Sequence, residues 1–270
     1  MARARKYPAM RREALAGVSA ALLRGPEEAR ESVLAVLAGN ISPAWRRALG
    51  ACLSALDGDI SYPGTWGRGN GKLPFLHIST LPGAGHCPGA GECLKFCYSF
   101  KAWRYPYGFA RQFINSVLLS TAEGRAAVLA SLDKATARQD SITVRLYVDG
   151  DFSSAEILEY WMHALRARPK IRAYGYSKSF KLFAAYAGPW PANYVLNLSS
   201  GHNGTASDVA AVRALPITRG DFIAVADVTA TKAEHGSKVF VCPLKCGDCL
   251  GGAHACGQLA ISKPIIIGVH

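Results

Sequence analysis

Short apolar segments alternate with helical patterns from residue 73 onward, and this alternation constrains the fold more than any other feature. The strand-like runs are 73–80, 142–148, 171–176, 193–198, 222–226, 238–241 and 264–269. Helical patterns separate most of them, near 108–121, 124–138, 153–168, 178–187 and 205–214. Such alternation is typical of a parallel sheet with helices packed outside it. We expect an α/β fold, a partial or complete (β/α) barrel of about six units.

The residues before this alternation predict three helices. An apolar stripe at helical spacing marks the first helix, which stops at Gly25, and the second begins at Pro26. The third opens at Ser42-Pro43 and closes at Gly58. The stripe consists of Leu15, Val18 and Leu22. We therefore divide the chain into a basic helical extension (1–60), a linker (61–72), a β/α barrel-like core (73–241) and a C-terminal cysteine-cluster segment with the last strand (242–270).

Three cysteines lie in one glycine- and proline-rich loop directly after the first strand, in the segment LPGAGHCPGAGECLKFCYSF. Five residues separate Cys87 from Cys93, and three separate Cys93 from Cys97. The loop has few other hydrophobic side chains against which the cysteines could pack, and its glycines allow tight turns. We interpret it as a metal-binding loop. It would hold an iron–sulfur cluster or a zinc ion, whose fourth ligand would be His86 or a C-terminal cysteine.

Four further cysteines lie in the segment VCPLKCGDCLGGAHACG. They are Cys242, Cys246, Cys249 and Cys256. Four thiolates complete the coordination of a metal, so this group predicts a structural zinc ion or a second [4Fe-4S] cluster. His254 is a possible substitute ligand. Seven of the eight cysteines fall in these two groups, a distribution that favours metal binding over a disulfide framework.

The end of the second strand carries two acidic residues in the sequence Asp149-Gly150-Asp151. Because the carboxyl ends of parallel strands share one edge of the sheet, we expect these acids near the cysteine loop. The alternative is local: Ser153 and Glu156 would form a capping box for the next helix, and Asp149-Gly150 would be its entry turn.

Strands three and four end in small polar groups at the same edge. Ser177 and Lys178 follow the third strand, and Ser199 and Ser200 follow the fourth. Their side chains would be available for ribose, carboxylate or substrate contacts. An ammonium group at Lys178 would hold a carboxylate or a phosphate.

The cysteine loop after strand one, the aromatic residues Phe96 and Tyr98 on either side of Cys97, and the following β/α units resemble the radical S-adenosylmethionine (SAM) enzymes. The cysteine spacing differs from the consensus of that superfamily at both intervals. The wider pattern of a CP-x4-C-x3-CY loop, a later GDF, a Y-x-K-S segment and a C-terminal cysteine group also resembles a family encoded by phages and plasmids. That resemblance covers roughly residues 73–270.

The resemblance implies a [4Fe-4S] cluster on Cys87, Cys93 and Cys97, which reduces SAM to release a 5′-deoxyadenosyl radical. It further implies that Asp149 or Asp151 binds the amino group of SAM beside Gly150. Lys178 is the third catalytic candidate. The cofactor contacts that we expect are Phe96, Tyr98, Gly150, Asp151, Ser177, Ser199 and Ser200. An electron donor such as a flavodoxin or a ferredoxin would be a partner.

The formal charge of +12 makes a polyanionic partner plausible. Residues 68–111 hold six Lys or Arg side chains against one Glu, with aromatic residues between them. These are the components of a surface that stacks bases and binds phosphates. We expect Phe109 and Phe113 to enter the core and Trp103 to stay exposed. The nucleic-acid candidates are Arg11, Arg12, Lys101, Trp103, Arg104 and Tyr105.

These observations favour an iron–sulfur enzyme that acts on a nucleic acid or a nucleotide. The alternative is a non-catalytic, metal-stapled nucleic-acid-binding protein of a mobile element. No apolar run approaches the roughly 18 residues of a membrane span, so we expect no membrane partner and a cytoplasmic location.

Overall fold

Seven parallel strands form one curled sheet in the computed structural model, which describes residues 9–247, 249–250 and 254–269. The strands are β1 (Leu76–His77), β2 (Ile142–Leu146), β3 (Ile171–Ser177), β4 (Tyr194–Ser199), β5 (Thr218–Val225), β6 (Phe240–Val241) and β7 (Ile265–Gly268). Their order across the sheet is β1-β2-β3-β4-β5-β7-β6. No pairing joins β1 to β6 in the described part of the chain. The α/β prediction is confirmed, and the sheet is a half-barrel, consistent with a partial barrel.

Nine α-helices lie within the described residues. They are α1 (Arg12–Arg24), α2 (Pro26–Leu37), α3 (Pro43–Leu56), α4 (Pro106–Ser120), α5 (Ala122–Thr136), α6 (Ala155–Arg166), α7 (Phe180–Ala185), α8 (Ala206–Arg213) and α9 (Val228–His235). Short 3-10 helices span Glu92–Phe96, Tyr98–Arg104, Gly236–Lys238 and Ala255–Gly257. The sequence pattern missed α9, because none of its side chains is buried to produce an apolar stripe. No helix in the described ranges is both long and apolar enough to span a membrane.

The two faces of the sheet pack against different partners. On β3, Ile171 and Ala173 belong to the large core beneath the helices, whereas Tyr174 and Tyr176 face the concave side. This alternation follows from the two-residue period of a strand. The concave side is filled by part of the C-terminal cysteine segment, including the buried Cys256. That segment therefore occupies the inner side of the half-barrel.

The three N-terminal helices share the large hydrophobic core with α4. Leu15 and Val18 are fully buried, as the apolar stripe predicts. The rings of Trp45 on α3 and Phe109 on α4 lie 6.3 Å apart. The Ser42 side chain caps α3 by accepting a hydrogen bond from the Trp45 amide at 3.4 Å.

Candidate metal and cofactor site

A cavity of about 490 Å³ lies at the carboxyl edge of the sheet, and both cysteine groups line it. The lining includes Cys87, Cys93, Cys97, Cys242, Cys246, Gly150, Asp151, Lys178, Ser199 and Ser200. The carboxyl ends of β2, β3, β4 and β7 thus meet the two cysteine segments around one space. The expectation that the cysteine loop and the strand ends share one edge is confirmed.

The cysteine loop is fixed to the ends of β3 and β4 by its backbone. The amides of Gly91 and Cys93 both donate to the carbonyl of Gly201, at 3.0 and 3.1 Å. A Cβ atom on Gly89 would lie 1.9 Å from the carbonyl oxygen of Lys178. Only glycine permits this approach of two backbones. Gly89 is therefore a packing contact between the loop and the end of β3, and not only a flexible residue of the loop.

Helix α1 supports the opposite side of the same loop. The His86 Nε2 atom donates to the Ser19 carbonyl at 3.0 Å, and the Arg12 guanidinium lies 4.4 Å from the centre of the Phe100 ring. His86 is not part of the cavity lining. The zinc alternative therefore loses the histidine ligand that the sequence offered it.

Asp151 lies in the cavity wall and joins the end of β2 to the end of β3. Its carboxylate accepts hydrogen bonds from the Phe152 amide (2.8 Å), the Ser177 hydroxyl (2.7 Å) and the Lys178 amide (2.8 Å). Burial raises the pKa of Asp151, and these hydrogen bonds oppose the rise. The Ser177 hydroxyl donates its hydrogen bond to Asp151 and lies outside the cavity lining. The sequence had suggested a cofactor contact for it.

Asp149 is absent from the cavity lining, although the two acids are only two residues apart. Its carboxyl group neighbours Gln112, Ser99 and Ser79. Burial raises the pKa of Asp149. Of the two acids that the sequence proposed for SAM, only Asp151 lines the cavity with Gly150.

The predicted capping box at the start of α6 is wrong by one residue. Ser154, not Ser153, caps the helix by accepting a hydrogen bond from the Ile157 amide at 3.2 Å. Glu156 instead forms an ion pair with Arg125 at 2.6 Å. The local explanation for the acidic turn is thereby weakened.

Lys178 reaches across the cavity edge from β3 to β4. Its Nζ atom donates to the Ser199 hydroxyl at 2.7 Å, and its positive charge lies near the thiols of Cys87 and Cys93. Ser200 also lines the cavity, where its hydroxyl oxygen accepts a hydrogen bond from the Ala224 amide at 2.9 Å. Lys178, Ser199 and Ser200 are thus brought together as the sequence predicts.

The two aromatic residues beside Cys97 also line the cavity. The Tyr98 hydroxyl donates to the carbonyl of Val148, just after β2, and both Phe96 and Tyr98 remain partly exposed. These rings form the outer wall of the space that the cysteines enclose.

The C-terminal cysteines divide between the cavity and the interior. Cys242 and Cys246 line the cavity, whereas Cys256 is buried. The Cys249 sulfur accepts a hydrogen bond from the Ala255 amide at 3.2 Å. All eight cysteines of the chain are free thiols.

The backbone around this second group is tied to two distant segments. The Cys242 amide donates to Ile266 of β7 at 2.9 Å, and the Cys246 amide donates to Lys72 at 2.7 Å. His254 lies between two rings, 4.7 Å from Phe75 and 4.6 Å from Tyr174. Asp248 and residues 251–253 of this predicted segment lie outside the described residues.

Sequence reasoning missed two charged residues of the cavity lining, Lys72 and Arg145. The second of these, Arg145, lies within β2. Its side chain lines the cavity, and its guanidinium lies 4.6 Å from the centre of the Tyr176 ring. The Tyr98 phenol and the Cys246 thiol are also close to it. The available signal was a single arginine within the apolar run ITVRLYV.

The nucleic-acid candidates separate into surface and core residues. The exposed candidates are Arg11, Arg12, Lys101, Arg104 and Tyr105, the last of them by 68%. Trp103 is only 4% exposed, and its Nε1 atom donates to the Gln112 side chain at 2.7 Å. The expectation of an exposed Trp103 is wrong, because the short helix that carries it packs that ring against α4. Phe109 and Phe113 are fully buried, as expected.

Comparison with known proteins gives one family and no relative beyond it. A search of curated proteins and a search of solved structures each found no match. A family model described as Gene product 88 matches residues 56–258, from the end of α3 to the C-terminal cysteines. The name belongs to a phage-type family, which agrees with the phage resemblance of the cysteine pattern. This chain belongs to the Gene product 88 family.

Proposed function

We propose that this protein is a radical-SAM-like iron–sulfur enzyme that acts in the cavity at the carboxyl edge of the sheet. The observation that carries the proposal is the set of groups around one space. Cys87, Cys93 and Cys97 line it together with Asp151 and Lys178. Thiols, a carboxylate and an ammonium group are the ligands that an iron–sulfur cluster and an amino acid moiety require.

A metal centre would change the protonation of these thiols. Burial raises the pKa of Cys87 and of Cys93 above that of a free thiol, so both sulfurs are protonated at neutral pH without a metal. A bound cation would reverse this preference by stabilising the thiolates.

The arrangement of the ligands bears on the kind of metal centre. Within the described residues, no three His, Cys, Asp or Glu side chains form a group that could hold a metal ion. A [4Fe-4S] cluster does not require the three thiols to converge on one ion, because each cysteine binds a different iron atom of the cube. Three thiols spread around one cavity are compatible with such a cluster.

The residues that would hold SAM follow from the hydrogen bonds already made. Asp151 accepts three hydrogen bonds, and a carboxylate has about four acceptor positions. One position thus remains for an ammonium group beside Gly150. The pair of Lys178 and Ser199 would bind a carboxylate or a ribose hydroxyl, with Ser200 beside it. Phe96 and Tyr98 would shield the cavity from water.

The chemistry that the cluster supplies when bound is one-electron reduction of SAM to give a 5′-deoxyadenosyl radical.

The second cysteine group would hold another [4Fe-4S] cluster; to hold a zinc ion its thiols would have to move closer together, since they form no group for a single metal ion within the described residues. Cys242 and Cys246 share the cavity with the first group, so a second cluster would lie close to the reaction. An electron donor such as a flavodoxin or a ferredoxin would reduce the enzyme, whether it holds one cluster or two.

A nucleic acid or a nucleotide is the substrate class that the surface supports. Arg11, Lys101, Arg104 and Tyr105 are exposed around the cysteine loop and α1, where phosphates could be neutralised. The same surface supports the second candidate, a metal-stapled nucleic-acid-binding protein without catalysis. Cleavage of SAM distinguishes the two candidates.

The test is anaerobic purification followed by metal analysis and a SAM assay. We expect brown protein that absorbs near about 400 nm, with about four iron atoms for one cluster and about eight for two. Reduction with dithionite in the presence of SAM should release 5′-deoxyadenosine. The variant C93A should lose the first cluster, whereas C52A, which removes a buried thiol of α3 outside the cavity lining, should keep it. Colourless protein with stoichiometric zinc would overturn the proposal.

A further inference from the structure

Arg145 carries a positive charge that no acidic side chain pairs in the described part of the chain. Its Nε atom is buried and has no hydrogen-bond partner. The groups nearest to the guanidinium are the phenols of Tyr98, Tyr174 and Tyr176 and the thiol of Cys246. Asp149 is near enough to attract it but forms no ion pair with it. An arginine is always charged, and this one, whose Nε atom is buried, has no acidic partner within the described residues, although a buried charge normally requires one.

Arg219 on β5 provides the comparison within the same sheet. It is 3% exposed, and its Nε atom donates to the Asn197 side chain at 2.5 Å. Its other nitrogens donate to the carbonyls of Ile261 (2.9 Å), Lys263 (2.8 Å) and Asp221 (2.7 Å). The fold therefore gives each nitrogen of this buried arginine a hydrogen-bond partner. It does not do so at Arg145, which faces the cavity instead of the protein interior.

We propose that the inner end of the cavity binds an oxyanion group, a phosphate or a carboxylate, of a small-molecule ligand, with Arg145 as its anchor. A guanidinium group binds either oxyanion through two parallel hydrogen bonds. The Tyr176 ring beneath it holds the guanidinium plane in position.

The position of Arg145 indicates a ligand other than the one that Lys178 would bind. In the sheet, Arg145 pairs with Tyr174, and Lys178 follows Tyr174 by four residues. Four residues of strand correspond to roughly 13 Å. The two cations therefore belong to different parts of the cavity: Lys178 lies near Cys87 and Cys93, and Arg145 lies near Cys246. We assign the oxyanion at Arg145 to the substrate. The binding itself goes beyond the proposed function, because it does not depend on iron.

Titration calorimetry with inorganic phosphate, pyrophosphate and acetate at matched ionic strength tests the proposal. We expect phosphate or acetate to bind the wild-type protein and R145M to bind it at least tenfold more weakly. The matched control is R172M, which removes an exposed arginine from the neighbouring strand β3, and its affinity should equal that of the wild type. Without any anion, R145M should unfold at a temperature equal to or above that of the wild type, since it removes an unpaired buried charge.

Several outcomes would overturn the proposal. The proposal is wrong if R145M and the wild type bind the anion with equal affinity, or if R145M loses metal while its anion binding is unchanged. If R145M does not fold, the same titration is made with R145K, because lysine lacks the bidentate geometry and should bind the anion severalfold more weakly. Competition between SAM and phosphate would refute the assignment to a second ligand. Binding that depends on Arg145 in iron-free protein would support the anion site while the proposed function fails.

Discussion

Gly89 is the position where the smallest chemical change should release the cysteine loop. In Gly89→Ala, the new Cβ would lie 1.9 Å from the carbonyl oxygen of Lys178 and 2.4 Å from the amide of Ser179. Both contacts are with backbone atoms, which cannot rotate away. The least costly response is for the loop to lift from the ends of β3 and β4.

The cost of that response follows from the contacts that hold the loop. Lifting it would break the hydrogen bonds from the amides of Gly91 and Cys93 to Gly201 and from the amide of Asn203 to Gly89. At about 1 kcal/mol for each net hydrogen bond, the loss is about 3 kcal/mol. In a domain of this size, such a loss lowers the melting temperature by roughly 6–12 °C.

Thermal unfolding and metal analysis of Gly89→Ala measure both consequences, since a displaced loop should also bind less iron. Gly71→Ala is the control, because a Cβ there meets nothing within 4 Å. Gly91→Ala should be intermediate, with its nearest backbone atom at 2.8 Å. If Gly89→Ala kept the stability and the metal content of the wild type, the anchoring of the loop would have been inferred incorrectly.

Three further predictions concern the second cysteine group and the basic surface. The double variant C246A/C249A should lower the unfolding temperature, because metal binding there would fasten the segment to β7 and to the linker; unchanged melting would contradict this. Trp103→Ala should cost about 3–5 kcal/mol in chemical denaturation, since it empties a buried site; a loss of single-strand binding without destabilisation would argue for an exposed ring. The double variant R11A/R12A should weaken nucleic-acid binding and flatten its salt dependence in gel-shift titrations. Binding that is independent of both arginines would remove them from the interface.

The elements of this fold were largely predictable because their signals are local. The residues that begin and end the first three helices are helix-terminating or capping types, as at Gly25 and Ser42. The apolar alternation also predicted the strands, although only Leu76–His77 pairs within the first run. The position of β7 between β5 and β6 was not predictable, because its neighbours are chosen by contacts between distant segments.

The orientation of the two acids shows where sequence reasoning about the site fails. Strict alternation along β2 would place Arg145, Tyr147 and Asp149 on the same side. Tyr147 adopts a left-handed conformation with φ of 56°, and its buried hydroxyl accepts a hydrogen bond from Trp161 at 2.9 Å. This turn interrupts the alternation, and Asp149 lies beside Gln112, Ser99 and Ser79 without lining the cavity itself. A positive φ at a tyrosine has no signature in the sequence.

The same limitation applies to Trp103. Its neighbours in the sequence are basic and exposed, which suggested a stacking surface. The side chain that holds it, Gln112, lies on another helix, and the short helix around Trp103 fixes the direction of the ring. Contacts of this kind depend on how two elements pack, and no local pattern records them.

The contacts between α1 and the cysteine loop couple the protein surface to the cavity. Arg12 keeps its full charge while its guanidinium lies over Phe100, and Phe100 belongs to the segment that follows Cys97. A polyanion that binds Arg12 would therefore bind a side chain whose position depends on that segment. By thermodynamic reciprocity, whatever fixes the loop from within the cavity must change the affinity of α1 for the polyanion by the same factor. Polyanion binding at the surface and ligand binding in the cavity are then thermodynamically coupled.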